Sequence, residues 1–205
     1  MAVPLMFVAA ACGAPLKPLP PMAPLPEEAE SPSPAPEPAE WVERPRAPEH
    51  DALLTALYAH GLLVPVQGVV ASQIPDTFND PRDGKRVHNA ADILAARGTP
   101  VLSADDGSVI HVGKNKLGGK VVWATDPSHK LAFYYAHLDR YAKGLHDGQR
   151  LSRGDVIGYV GTTGDAPKNV PHLHFQLLRM VKGTRYSQGP PIDPIPFFTQ
   201  ASNTR

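Results

Sequence analysis

The sequence predicts a mainly β, mostly antiparallel domain with one short helix at its N-terminal side, and three observations predict it. From Leu62 onward, short β-branched and aromatic runs alternate with glycine-bearing turns. Only one stretch, His50–His60, carries a helical apolar spacing. Proline and glycine also divide the chain: 13 of the 24 prolines but one of the 17 glycines lie in the first 50 residues, so the turn-forming residue belongs to the body. At 205 residues there is room for one ordinary domain.

The elements follow in order. Leu5 to Ala11 is too short for the roughly 20 apolar residues of a membrane span, but with Cys12 behind it resembles a bacterial export signal ending at a lipidated cysteine. Residues 1–12 are therefore expected to be an export or lipoprotein signal, with Cys12 as its lipidation site. Residues 13–49, rich in Pro, Ala and Glu, are expected to be an extended linker that buries too little apolar surface to fold. The first 50 residues carry a net −4 and the remainder +4, and Lys plus Arg balance Asp plus Glu at 20 each, which argues against a nucleic-acid binder. The domain is expected over residues 50–198, with a loose end at 199–205. The helix stripe is Leu53, Leu54, Leu57 and Tyr58, stopped by Gly61. Strands are expected at Val64–Val70, Pro100–Ser103, Ser108–Val112, Lys120–Thr125, Leu131–His137, Val156–Val160 and His172–Arg179. Turns fall at Asp106-Gly107, Gly118-Gly119, Asp147-Gly148 and Arg153-Gly154, and a closing extended segment follows residue 180.

The chemistry lies in histidines. A single cysteine excludes an internal disulfide and a thiolate metal cluster. Period-two alternation in His172–Leu178 sends His172, His174 and Gln176 to one face and Leu173, Phe175 and Leu177 to the other. The same alternation gives His137 the face of Phe133 and Tyr135. His88 and Asp92 are four residues apart, about 13 Å in a straight strand, so to share one ion the chain must bend there, through a tight loop entering a strand. His88, Asp92 and one of the paired histidines would supply three ligands and leave a coordination position open, with two further histidines nearby. Arg82, Lys85 and Arg86 precede His88 and are candidates to polarise a carbonyl or hold a carboxylate. The turn-rich loop Asn79–Gly84 could line or cover a cleft. His50, His60, His111, His129 and His146 read as structural or surface residues, and Trp123, Tyr134 and Tyr135 as core or cleft-wall aromatics.

Taken together, His88-x-x-x-Asp92, Ala96-Arg97-Gly98-Thr99-Pro100-Val101, Asp106-Gly107-Ser108-Val109, Tyr135-Ala136-His137-Leu138, Gly161-Thr162-Thr163-Gly164 and Pro171-His172-Leu173-His174-Phe175 resemble, in order and spacing, the lysostaphin/LytM-type zinc metallopeptidases. The resemblance covers roughly Leu62 to Leu178. It implies an antiparallel β-sheet or barrel-sandwich peptidase domain, and an endopeptidase that hydrolyses peptidoglycan stem-peptide cross-links with a zinc-activated water. It also implies Zn2+ on His88, Asp92 and His174, with His137 and His172 as catalytic histidines; which of the two is the general base stays open. The setting it implies is the cell envelope, either periplasm or a membrane anchored through Cys12. Two departures stand out: Ala90 where the family commonly has glycine, and Ala166–Val170, which lengthens the link to His172. No HExxH motif is present, so imidazole must serve as base. A silent member that binds the wall or activates another hydrolase is the alternative. A cupin or carbonic anhydrase would explain the His-x-His pair but not the other motifs. D-Ala–diaminopimelate and glycine cross-bridges both remain open as substrates.

Overall fold

The computed structural model describes residues 51–82, 84 and 86–199. The expectations for residues 1–12 and 13–49, Cys12, His50, Lys85 and the last six residues lie outside the described residues.

The helix α1 (Ala52–His60) forms where the apolar stripe predicts it. Asp51 caps it, its Oδ1 accepting the N–H groups of Leu53 at 3.1 Å and Leu54 at 3.3 Å. Gly61 ends it at φ +69°, where a Cβ would stand 2.4 Å from Thr199 Cγ2. Leu57 is buried, whereas Tyr58 is exposed and touches Phe197 edge-on, so the stripe is one residue narrower than its sequence.

Among the described residues twelve strands follow: β1 (Pro81–Arg82), β2 (Arg86–Val87), β3 (Ala91–Leu94), β4 (Pro100–Leu102), β5 (Gly107–Asn115), β6 (Gly119–Thr125), β7 (Leu131–Leu138), β8 (Arg140–Tyr141), β9 (Arg150–Leu151), β10 (Val156–Tyr159), β11 (His172–Arg179) and β12 (Pro191–Ile192). Every ladder between them is antiparallel. The large sheet runs β12-β11-β7-β6-β5-β9, with β3 also paired to β11; β4-β10-β8 form a second sheet and β1-β2 a separate ladder. Phe133, Tyr135, Phe175 and Leu177 of the large sheet and Val101 and Ile157 of the small one belong to one buried core. At about 25 cal/mol per Å² of apolar surface removed from water, this core is the main force holding the two sheets together.

Two strand expectations need correcting. Val64–Val70 forms no strand, only a bridge from Val66 to Val101. Val64, Pro65 and Val66 are buried, but Pro65 has no N–H to donate and the chain turns outward at Gln67 and Gly68, so no continuous ladder forms. β5 continues past Val112 to Asn115 because the Gly118-Gly119 turn brings Lys120 and Gly119 back opposite Lys114 and Asn115. The segment after residue 180 contributes β12, which pairs Ile192 with Leu177.

The departure that matters most for function is in β7. Val122 pairs with Tyr135 and Lys120 with Leu138, so Ala136 and His137 oppose the single residue Val121. This bulge, with His137 at φ +61°, resets the alternation. Leu138 takes the core face with Tyr135, and His137 turns to the opposite face, contrary to the strict period-two reading. Gly161 permits the kink: a Cβ there would stand 2.7 Å from the His137 carbonyl oxygen.

Candidate metal centre

β11 pairs with β3 so that His174 lies directly across from Asp92. The chain reaches β3 through a tight loop, as the spacing of His88 and Asp92 required. Asn89 takes its left-handed position at φ +55°. Alanine at 90 therefore carries none of the strain expected for a residue in a glycine position; asparagine, which tolerates that conformation, carries the turn instead. The backbone of His88 donates to the Asp80 carbonyl at 2.9 Å and that of Asn89 to the Phe78 carbonyl at 2.8 Å, which fixes the loop.

The result is a triangle of ligand-type atoms. His88 Nε2 lies 3.0 Å from Asp92 Oδ1 and 3.1 Å from His174 Nδ1, and His174 Nδ1 lies 3.0 Å from Asp92 Oδ1. Bonds of about 2.0–2.1 Å to a tetrahedral zinc would space its ligand atoms about 3.3–3.4 Å apart, so the triangle matches one slightly contracted face of such a site. The proton inventory agrees. His88 Nδ1 lies 2.9 Å from the Thr77 carbonyl, which can only accept, so the ring proton resides there and Nε2 offers a lone pair. Asp92 Oδ1 also offers lone pairs, and His174 Nδ1 carries at most one hydrogen. The His88–Asp92 contact then sets lone pair against lone pair, which a cation relieves. The donor set fits a metal ion, with Thr77 orienting one ligand from behind.

His172 and His137 stand beside this triangle, with their ring centroids 4.9 Å apart. His172 Nδ1 donates to the Val170 carbonyl at 2.8 Å and His137 Nδ1 to the Thr163 carbonyl at 2.8 Å. Both rings are thereby held with Nε2 as the free base. His172 Nε2 is 3.8 Å from Asp92 Oδ1. The extended link Ala166–Val170 thus supplies the carbonyl that orients His172, and Ala166, Pro167 and Val170 line the groove.

Burial acts on Asp92, His137 and His174. It raises the Asp92 carboxyl, but the neighbouring His174 and His88 outweigh it and hold the group well below the usual carboxylate range. Burial pulls His137 down to about 4, helped by the neighbouring His174 and His172 and opposed by the Thr163 carbonyl. Burial also lowers His174, and Asp92 offsets this only in part. A neutral His174 and an ionised Asp92 at pH 7 are the forms that ligation needs, and a neutral His137 the form that accepts a proton.

These groups open into a groove of about 840 Å³. Arg82, Arg86 and Val87 of the β1–β2 ladder line it, so the turn-rich loop before His88 does border the cleft. The Arg82 guanidinium donates to Asp92 Oδ2 at 2.7 Å, bracing the carboxylate whose other oxygen faces the triangle. Of the three aromatics, Tyr135 is core, while Tyr134 and Trp123 form groove wall. His60 pairs with Asp105 at 2.8 Å and His111 with Asp147 at 3.2 Å, away from the triangle. Sequence reasoning did not find Thr77, the Thr163 and Val170 carbonyls, or Asn115, whose Nδ2 donates to Tyr134 Oη at 3.0 Å. Backbone acceptors leave no residue-type signal; only the position of Thr163 in the Gly161–Gly164 motif pointed toward one.

Residues 86–194, slightly more than half the chain, match peptidase family M23. The chain belongs to that family. Among M23-related proteins, the L-Ala–D-Glu endopeptidase of Bacillus subtilis is 37% identical over 127 residues, covering 58% of this chain and 37% of that protein. The glycyl-glycine endopeptidase ALE-1 of Staphylococcus capitis is 32% identical over 115 residues, 56% of this chain and 30% of that protein. The chain therefore spans about a third of the length of these relatives. Helicobacter pylori Csd3 superposes with a TM-score of 0.53 at 31% identity, covering 68% of this chain and 35% of that one. M23 membership accords with the mainly β, antiparallel fold and with the lysostaphin/LytM resemblance.

Proposed function

We propose that this chain is a zinc-dependent endopeptidase that hydrolyses peptide bonds in bacterial peptidoglycan. His88, Asp92 and His174 would hold the ion, and His137 and His172 would handle protons. The observation that carries this reading is that both spare histidines are locked by backbone carbonyls with Nε2 as the base, beside a triangle of lone pairs that calls for a cation. When bound, zinc supplies Lewis acidity toward a peptide carbonyl and toward water.

The chain's own residues do the rest. Each free Nε2 can take a proton from an attacking water and return it to the leaving amine, and neither ring must turn to do so, because its Nδ1 hydrogen stays on a carbonyl. Arg82 keeps Asp92 from rotating away from the triangle. The groove walls, Tyr134 and Trp123 on one side and Ala166, Pro167 and Val170 on another, seat an extended peptide and limit its access to water. Peptidoglycan as substrate places the protein at the cell envelope. Among the described residues no helix is long and apolar enough to cross a membrane. Export through residues 1–12, attachment through a lipidated Cys12 and a spacer at 13–49 complete the proposal.

Zinc-loaded protein incubated with purified peptidoglycan should release cleaved stem peptides, read by mass spectrometry, and lose that activity with a chelator. His172→Ala should lower turnover by about 10²–10⁴-fold with zinc content retained. A protein that binds the wall and zinc without cleaving would instead be the silent, activating form.

A further inference from the structure

On the groove wall, Tyr134 carries a hydroxyl hydrogen that the fold leaves unspent. Its partner Asn115 has a fixed amide. The Gly118 N–H can only donate, and it does so to Asn115 Oδ1 at 2.6 Å, so the Nδ2 end must face Tyr134 Oη and donate to it at 3.0 Å. That bond occupies a lone pair of the hydroxyl and leaves its hydrogen free. Among the described residues the hydrogen has no acceptor, although Tyr134 is only 8% exposed. Buried polar groups are almost always paired, because an unpaired one forfeits its hydration for nothing. The hydroxyl is also held in place. Its ring stacks on Trp123 at 4.3 Å, and Trp123 is backed by Tyr186 at 5.1 Å. Gly118 admits the oxygen, since a Cβ there would stand 2.0 Å from Tyr134 Oη. Burial pushes the Tyr134 phenol above its ordinary value, opposed by the Asn115 bond and helped by the charge of Asp165, so the group stays a neutral donor.

Tyr134, Asn115, Gly118 and Trp123 all line the groove. The donor also lies close to the triangle and its neighbours. The Tyr134 ring meets that of His174 edge-on at 6.1 Å, and the carbonyl of Gly118, the residue beside the hydroxyl, accepts the His137 N–H at 2.7 Å. What the Tyr134–Asn115 pair lacks is an acceptor arriving from the groove. On an extended peptide the recurring neutral acceptor is the backbone carbonyl, one for each residue. We propose that Tyr134 is a substrate-positioning residue whose hydroxyl, oriented by Asn115, donates a hydrogen bond to a backbone carbonyl of the peptide lying along the groove. The identity of that occupant rests on the endopeptidase reading above. Asn115 acts through Tyr134: by filling the lone pair on its own side, it keeps the hydrogen for the ligand.

The test reads binding by calorimetry, with a cross-linked muropeptide and the zinc-loaded full chain carrying His172→Ala to slow turnover. Tyr134→Phe, which keeps the ring stack, should raise Kd about five- to tenfold, the scale of one neutral hydrogen bond, with zinc content unchanged. Two Asn115 variants separate donation to the ligand from a merely structural bond. Asn115→Asp keeps an acceptor for the Gly118 N–H but turns a second one on Tyr134, whose hydrogen it captures. Asn115→Ala loosens the turn and leaves that hydrogen free. Asn115→Asp should therefore raise Kd more than Asn115→Ala, and its effect should shrink in the Tyr134→Phe background. The reverse order, an Asn115→Asp loss of equal size in both backgrounds, or a Tyr134→Phe Kd equal to that of its parent would each overturn the assignment. A chain with His172 intact that binds the muropeptide without cleaving it would instead defeat the endopeptidase reading and leave this inference to stand on the binding data.

Discussion

On one face of β11, Leu173, Phe175 and Leu177 are sealed in the core, with Phe175 packed on Phe133 and Tyr135; on the other, His172, His174 and Gln176 line the groove. The two sets alternate residue by residue, so the same hydrogen-bonded ladders position both. The difference teaches that the candidate metal triangle borrows its rigidity from the core beneath it. The ligand face itself adds little to folding, because its contacts are between groups that repel or compete for one proton until a cation arrives.

The largest expected effect separates the two faces. His174→Ala should abolish zinc retention and reduce peptidoglycan hydrolysis by more than about 10³-fold, while leaving the denaturation midpoint of the chelated protein close to wild type. Phe175→Ala, one residue away, should do the reverse at first order: about 3–5 kcal/mol of stability lost in urea unfolding, through the cavity it leaves. Equal destabilisation by the two variants would break the comparison.

How much of this was legible in the sequence follows the same division. The alternation in His172–Leu178 could be read because a regular strand maps sequence parity onto faces, and the bend between His88 and Asp92 could be read because one ion cannot reach both across an extended chain. His137 was assigned to the wrong face because a bulge depends on the pairing of β7 with β6, which local periodicity does not contain. Val64–Val70 was overread for a similar reason: Val64 and Val66 are buried, but Pro65 cannot donate to a ladder and the chain turns at Gln67 and Gly68. Arg82 was noticed as a cation near the site, yet its partner, Asp92, became apparent only once the β1–β2 ladder folded back beside β3.

An intermediate effect tests the groove face through pH. Because burial and the neighbouring imidazoles depress His137 to about 4, the unfolded chain binds more protons than the folded one between that value and about 6.5. Stability of the chelated protein should therefore fall as pH drops through this window and gain nothing from His137 above it. Between pH 7 and 5, wild type should lose about 2 kcal/mol more than His137→Gln, measured by urea unfolding at each pH. Parallel curves for the two proteins would show that His137 is not held neutral by its surroundings.

The smallest effect concerns the loop that joins the faces. Asn89 sits at φ +55° between His88 and β3, and its turn, rather than any core contact, brings the first ligand over the strand that carries the second. Alanine there would meet its own carbonyl oxygen in the left-handed conformation, so Asn89→Ala should cost about 1–2 kcal/mol, whereas Asn89→Gly should fall within about 0.5 kcal/mol of wild type. If the turn acts only by placing His88, zinc affinity should fall in the alanine variant and return in the glycine variant, in step with stability. A glycine variant that recovered stability but not zinc affinity would mean that the Asn89 side chain, which lines the groove, has a part in the site beyond the shape of the backbone.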